Sequence, residues 1–138
     1  MKEIYFACSI RGGRNDANIY AELVAHIKTR ATVLSEIFAD GKLTASGMNK
    51  PSNEIWRTDT DWVKQADGII AEATNPSLGV GYELALAERL EKPILVLFSP
   101  ESGNKLSAMI DGAPGIKVVN YNSLEEARGV INEFITSL

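Results

Sequence analysis

Hydrophobic positions along this chain fall into short continuous runs that alternate with longer segments of helical period. Ile4 to Ile10 is a β-rich apolar run ended by Gly12 and Gly13, the layout of a first strand and its turn. From Asn15 to Arg30, Ile19, Leu23 and Ile27 recur every four positions, which predicts a helix with one buried face. Ala31 to Ile37 predicts a second strand, and the polar, glycine-containing stretch from Ala39 to Lys50 reads as a loop. Pro51 and Ser52 suit a helix start, so a second helix is predicted from Pro51 to Ala66. Gly68 to Ala73 predicts a third strand around Ile69, Ile70 and Ala71, followed by a turn over Thr74 to Ser77 and a third helix from Leu78 to Leu90. Pro93 to Phe98 is almost wholly apolar, as expected of a central strand covered on both faces. Ile116 to Tyr121 predicts a fifth strand. Ser123 with Glu126 forms a capping box for a last helix whose inner face is Ala127, Ile131, Phe134 and Leu138.

Strict alternation of strand and helix implies right-handed crossovers and a parallel sheet with helices on both faces. The expected class is α/β, a flavodoxin-like doubly wound sheet of five strands in the order 2-1-3-4-5. No repeat, linker or low-complexity segment divides the chain, so residues 1–138 are expected to form one domain. Ligands of such sheets bind beyond the carboxyl ends of the strands, near the switch point between strands 1 and 3. That directs attention to the loops after Ile10 and after Ala73.

Composition narrows the partners. With 138 residues, 45% of them hydrophobic, the chain can build a core without disulfides or a structural metal. Its one cysteine, Cys8, cannot pair within the chain, which fits a reducing compartment. One histidine and one cysteine supply too few of the usual ligands for a transition-metal site. The net charge of −4, with no basic stretch, argues against a nucleic-acid polymer as partner. No apolar run approaches the ~20 residues of a membrane helix, and MKEIYFACSI lacks the basic-then-apolar layout of a secretory leader. The expectation is a cytoplasmic protein, or a nuclear one in a eukaryotic cell, acting on a small molecule without a cofactor.

Two carboxylates and two loops carry candidate chemistry. Ile55, Trp62, Val63 and Ala66 make one apolar stripe on the second helix, and Asp59 falls inside it while Asp61 points away. A carboxyl on a buried face must be paired, hydrogen-bonded or protonated, and desolvation raises its pKa toward that of a working general acid. A satisfied structural aspartate accounts for the same placement. The turn Asn75-Pro-Ser-Leu-Gly-Val-Gly-Tyr-Glu83 joins a strand to a helix, where a serine hydroxyl and glycine amides can hold an anion at the positive helix end. It lacks a P-loop lysine and the spacing of a dinucleotide fingerprint, so a monophosphate suits it better. Ser77 as a plain helix cap explains it equally well. Glu83, one turn into that helix, is expected to be ionised by the helix dipole; beside a protonated Asp59 it would complete a two-carboxylate glycosidic site. An ordinary first-turn glutamate is the plainer alternative. Ser9-Ile-Arg-Gly-Gly-Arg14 is a second candidate loop, with Arg11 or Arg14 as anion partners, although a glycine turn also accounts for it. Tyr5 reads as core, and His26 as surface.

Four ordered segments, YFACSIRGGR at Tyr5 to Arg14, DTDWVKQAD at Asp59 to Asp67, PSLGVGYELALA at Pro76 to Ala87 and KLSAMIDG at Lys105 to Gly112, resemble one family. It is the 2′-deoxynucleoside 5′-phosphate N-hydrolases, the Rcl group of the nucleoside 2-deoxyribosyltransferase superfamily, and the resemblance runs over nearly the whole chain. It implies hydrolysis of the N-glycosidic bond of 2′-deoxynucleoside 5′-monophosphates on a flavodoxin-like fold. Glu83 matches the nucleophile that forms a covalent deoxyribosyl phosphate intermediate, Asp59 the general acid/base, and Tyr5 the tyrosine near the nucleophile. Ser77 and Gly79 match the phosphate-binding turn, and Ile10, Arg11 and Gly12 the nucleotide-contacting loop. Ser107 and Met109 match residues that reach the neighbouring subunit's site, which implies a homodimer. Glu36-Ile37 stands where mammalian members resemble Glu-His, and the loop from Ala39 to Lys50 differs in length and content, so the preferred base is not implied. Transfer of deoxyribose between bases of unphosphorylated nucleosides, or hydrolysis of ribonucleotides such as cytidine monophosphate, are the alternatives that related proteins suggest. A non-enzymatic nucleotide-binding domain is a third.

Overall fold

Every residue of two segments, Gly68–Glu72 and Ile94–Phe98, is buried, so these strands must lie in the middle of a sheet covered on both faces. In the computed structural model, which describes residues 1–10, 17–35 and 49–138, they are central strands of a five-stranded parallel sheet. The strands are β1 (Glu3–Ala7), β2 (Thr32–Val33), β3 (Gly68–Glu72), β4 (Ile94–Phe98) and β5 (Lys117–Asn120), in the order β2-β1-β3-β4-β5. This is the expected doubly wound α/β architecture. The helices are α1 (Ala17–Ile27), α2 (Ser52–Gln65), α3 (Leu78–Arg89), α4 (Ala108–Asp111) and α5 (Leu124–Ser137). α1 packs against α5 and α2 against α3. None of the helices among the described residues is long and apolar enough to cross a membrane.

Element ends depart from the sequence pattern for identifiable reasons. β1 stops at Ala7 rather than Ile10 because its ladder with β3 ends there. β2 keeps only two residues, and Ser35 then takes over the ladder with its side chain. The buried Ser35 hydroxyl accepts from Phe6 N and donates to Phe6 O, both at 2.8 Å. The remainder of the predicted second strand, Glu36 and Ile37, lies outside the described residues, as do the first residues of the predicted first helix and most of the Ala39 to Lys50 loop. The last helix starts as its capping box requires: Ser123 Oγ accepts from Glu126 N at 3.2 Å, and the Glu126 carboxylate accepts from Asn122 N at 3.2 Å. A 3-10 turn at Pro100–Ser102 and the one-turn α4 were not foreseen, since elements this short show no period.

Two features aim the site. Phe6 meets Tyr20 of α1 edge-to-face at 6.4 Å between ring centroids, so Tyr5, its neighbour on β1, faces the opposite layer. Lys92 donates to the carbonyls of Lys64 and Ala66, at 2.7 and 2.9 Å, and ties the end of α2 to the α3–β4 connection.

Candidate active site

Tyr5 is fully buried in the middle of β1, and its hydroxyl donates a short hydrogen bond to Glu83 Oε2. Burial, with the nearby charges of Glu83 and Asp59, holds the phenol pKa well above its ordinary value, so the hydroxyl stays a donor at any working pH. Asp59 projects from α2 between half-buried Ile55 and Trp62 and the buried Val63, within the stripe the sequence predicts. Its Oδ1 is buried and has no hydrogen-bond partner among the described residues. Asp61 is exposed. Three groups drawn from β1, α2 and α3 thus form one electrostatically coupled cluster.

Burial pushes the Glu83 carboxyl up to about 8, against the lowering effect of the Tyr5 hydrogen bond and with a further rise from the charge of Asp59. Burial alone raises Asp59 to about 6. The sequence led to the opposite order, with Glu83 ionised by the helix dipole and Asp59 protonated. Glu83 lies past the first turn of α3, where the dipole has faded and desolvation prevails. Between pH 6 and 8 the two carboxyls together hold about one proton.

The two loops singled out by the switch-point argument meet. Asn75 Nδ2 donates to the hydroxyl of buried Ser9 at 3.1 Å, joining the turn after β3 to the segment after β1. Ile10 is half-buried beside Ser9, whereas Arg11 and Gly12 lie outside the described residues. Ser77 is the N-cap of α3, and its Oγ accepts from Val80 N at 3.2 Å. That bond uses an acceptor site and leaves the hydroxyl proton available to an anion. A Cβ built on Gly79 would meet nothing closer than Ser77 Oγ at 3.8 Å, and one on Gly81 nothing within 4 Å. Internal packing therefore does not require glycine at either position, and both leave the backbone open to approach.

Other predicted residues fall elsewhere. Ser107 caps α4, accepting from Met109 N at 3.3 Å, and Met109 is 83% exposed. Both line a groove of about 610 Å³ between α3 and α4, shared with Ser77, Val80 and Leu84 but not with Tyr5, Asp59 or Glu83. They are not brought to this chain's own carboxyl pair. His26 bonds Asn132 at 2.8 Å between α1 and α5, on the layer away from the site. An aromatic pair escaped the sequence reading: Trp56 Nε1 donates to Tyr82 Oη at 3.1 Å, bridging α2 and α3 beside the two carboxyls. The signal was present, because Trp56 stands three residues before Asp59 and shares its helix face.

A family model described as nucleoside 2-deoxyribosyltransferase matches residues 4–131. The chain belongs to that family. A "5-hydroxymethyl-dUMP N-hydrolase" of Rattus norvegicus is 49% identical over 112 residues, covering 80% of this chain and 69% of the relative. A protein of the same name from Tetraodon nigroviridis is 42% identical over 139 residues, 98% of each chain. The Clostridium botulinum CMP N-glycosidase BcmB superposes with a TM-score of 0.69 over 96% of this chain and 99% of its own, at 16% identity, which shows a shared fold.

The raised carboxyls have a consequence for stability. An acid whose pKa is higher folded than unfolded stabilises most when protonated, and that contribution is lost as pH rises through the folded value. For Glu83 the loss runs from its ordinary 4.5 up to about 8. Glu83→Gln, neutral throughout, should match wild type near pH 4.5 and exceed it by about 1–3 kcal/mol near pH 8.5, less than the full shift implies because water reaches part of the side chain. Urea unfolding at the two pH values measures the difference; a constant offset would mean that Glu83 is not held protonated.

Proposed function

We propose that this protein is an N-glycosidase that hydrolyses 2′-deoxynucleoside 5′-monophosphates to free base and 2-deoxyribose 5-phosphate, with Glu83 as nucleophile and Asp59 as acid/base. The observation that carries the reading is the buried cluster of Tyr5, Glu83 and Asp59. Two carboxyls with raised and mutually dependent pKa values suit an acid and a nucleophile working on one glycosidic bond. The names of the rat and pufferfish relatives support the substrate class, since each states N-hydrolysis of a deoxyuridine monophosphate.

In this reading an ionised Glu83 oxygen attacks C1′ while the C–N bond breaks, and the proton of Asp59 passes to the departing base. The product is a glutamyl ester of deoxyribose 5-phosphate. Asp59, now a carboxylate, takes a proton from water as that water attacks C1′, which releases the sugar phosphate and restores both groups. Tyr5 holds Glu83 Oε2 and stabilises the carboxylate during departure of the sugar. The 5′-phosphate is assigned to Ser77 and the α3 amides around Gly79, with Ile10, Arg11 and Gly12 along the nucleotide. The apolar groove beside α3, with Leu78 96% exposed and Met109 83% exposed, supports a homodimer in which Ser107 and Met109 reach the neighbouring site.

Reactive geometry needs Glu83 ionised and Asp59 protonated, the singly protonated form of the pair. The kcat/KM profile should therefore be a bell with limbs near pH 6 and pH 8. Glu83→Ala should abolish base release, and Asp59→Asn should slow it by roughly 10²–10⁴-fold. Mass spectrometry of acid-quenched wild type should show one added deoxyribose phosphate; full activity of Glu83→Ala would rule out the covalent route.

The phosphate assignment is tested with deoxy- and ribonucleosides, with and without a 5′-phosphate and including 5-hydroxymethyl-dUMP, scored for free base. Removing the phosphate should lower kcat/KM severely, and Ser77→Ala should cost about 1.5–3 kcal/mol on phosphorylated substrates alone. Gly79→Ala should raise helix stability by up to about 1 kcal/mol while weakening phosphate binding. Equal cleavage of nucleoside and nucleotide would leave the turn as a helix cap only.

Sedimentation equilibrium examines the assembly. Wild type is expected to be dimeric and Met109→Asp predominantly monomeric, with activity reduced at protein concentrations where it has dissociated. A monomeric, fully active wild type would remove the partner's role.

A further inference from the structure

Glu72 is a fully buried carboxyl with no part in the catalysis described above. It closes β3, and among the described residues three donors converge on it. Thr74 N reaches Oε1 at 2.7 Å, the Thr74 hydroxyl reaches Oε2 at 2.8 Å, and the Tyr121 hydroxyl makes a short bond to the same Oε2. Donors alone are what an ionised carboxylate accepts. Thr74 passes the network on: its Oγ1 accepts from Ser99 N at 2.9 Å, and its carbonyl accepts from Asn104 Nδ2 at 2.9 Å. Thr74 and Tyr121 are themselves buried.

The members share one location. Glu72 ends β3, Ser99 follows the last residue of β4, and Tyr121 follows the last residue of β5. The network therefore ties together the carboxyl ends of three strands, the edge at which a doubly wound sheet holds its ligand. The residue it grips most firmly, Thr74, stands three positions before Ser77. A buried carboxylate is costly unless its oxygens are satisfied, and one kept here holds a backbone amide and a hydroxyl of the same residue. That double grip fixes the direction in which the chain leaves the sheet and enters α3.

We propose that Glu72 is a positioning residue that sets the Thr74–Ser77 turn for recognition of the substrate's 5′-phosphate, acting through Thr74 without touching the substrate. This rests on the reading of Ser77 and Gly79 as the phosphate cradle. Displacing such a turn by about an ångström costs on the order of 10²-fold in the remote binding that orients the reacting bond.

The test compares wild type, Glu72→Gln, Tyr121→Phe and Thr74→Ser on a deoxynucleoside 5′-monophosphate and on the unphosphorylated deoxynucleoside. For Glu72→Gln, kcat/KM on the monophosphate should fall by about 10–100-fold, mainly through KM, with the nucleoside affected less than about threefold. Tyr121→Phe, which leaves the carboxylate and removes one donor, should shift the same parameter less, and it answers the question if Glu72→Gln does not fold. Thr74→Ser retains the hydroxyl and should resemble wild type. An equal loss on both substrates, a loss confined to kcat, or unchanged kinetics would overturn the proposal. A wild type indifferent to the phosphate would overturn the phosphate reading and this proposal with it; a phosphate-dependent wild type with an unaffected Glu72→Gln would overturn this proposal alone.

Discussion

Tyr5 reaches Glu83 because β1 and β3 are neighbours, with Tyr5 level with Ile69, and because the helix that leaves β3 returns over the same face of the sheet. The strand order and the hand of the crossover thus place a phenol under a helical carboxyl. Once that contact is buried, much else is set. The phenol cannot ionise readily, so it remains a donor, and the glutamate loses most of its water while keeping one fixed partner. Asp59 enters the same cluster from α2, whose far end is held to the α3–β4 connection by Lys92. A change that widened the gap between α2 and α3 would hydrate all three groups together.

Much of this architecture is legible in residue order because its signals are local or periodic. The apolar run at Ile94–Phe98 identifies a central strand by itself, and Ser123 with Glu126 marks the start of α5. Asp59 stood out because one charged residue interrupts an apolar stripe, a conflict that needs no partner to be noticed. Glu83 and Tyr5 carried little signal of their own. A glutamate in a helix and a tyrosine in a strand are ordinary until the sheet brings residues 78 positions apart into contact. The same holds for Ser35, whose hydroxyl substitutes for a strand partner, and for Glu72, which pairs its near neighbour Thr74 with the distant Tyr121.

The order of the carboxyl pKa values separates a local from a global argument. The helix dipole is readable from position along α3, and it favours an ionised glutamate. Desolvation depends on the whole surrounding shell, and here it outweighs both the dipole and the bond from Tyr5. An empty site therefore stores its proton on the stronger base, and the form with Glu83 ionised and Asp59 protonated is a minority arrangement of the pair. In the proposed reaction a bound anion and a departing base would alter the surroundings of both groups, which would couple the proton distribution to occupancy.

The aromatic bridge between α2 and α3 has an optical corollary. The chain contains two tryptophans, Trp56 and Trp62, and both belong to α2, the helix that carries Asp59. Trp56 is 53% exposed, with its indole nitrogen bonded to Tyr82 on the facing helix. All indole emission from this protein thus originates on α2, and one of its two emitters is bonded to α3. The molecule carries a native fluorophore at the contact of α2 with α3, able to register changes in the separation of the two helices without a label.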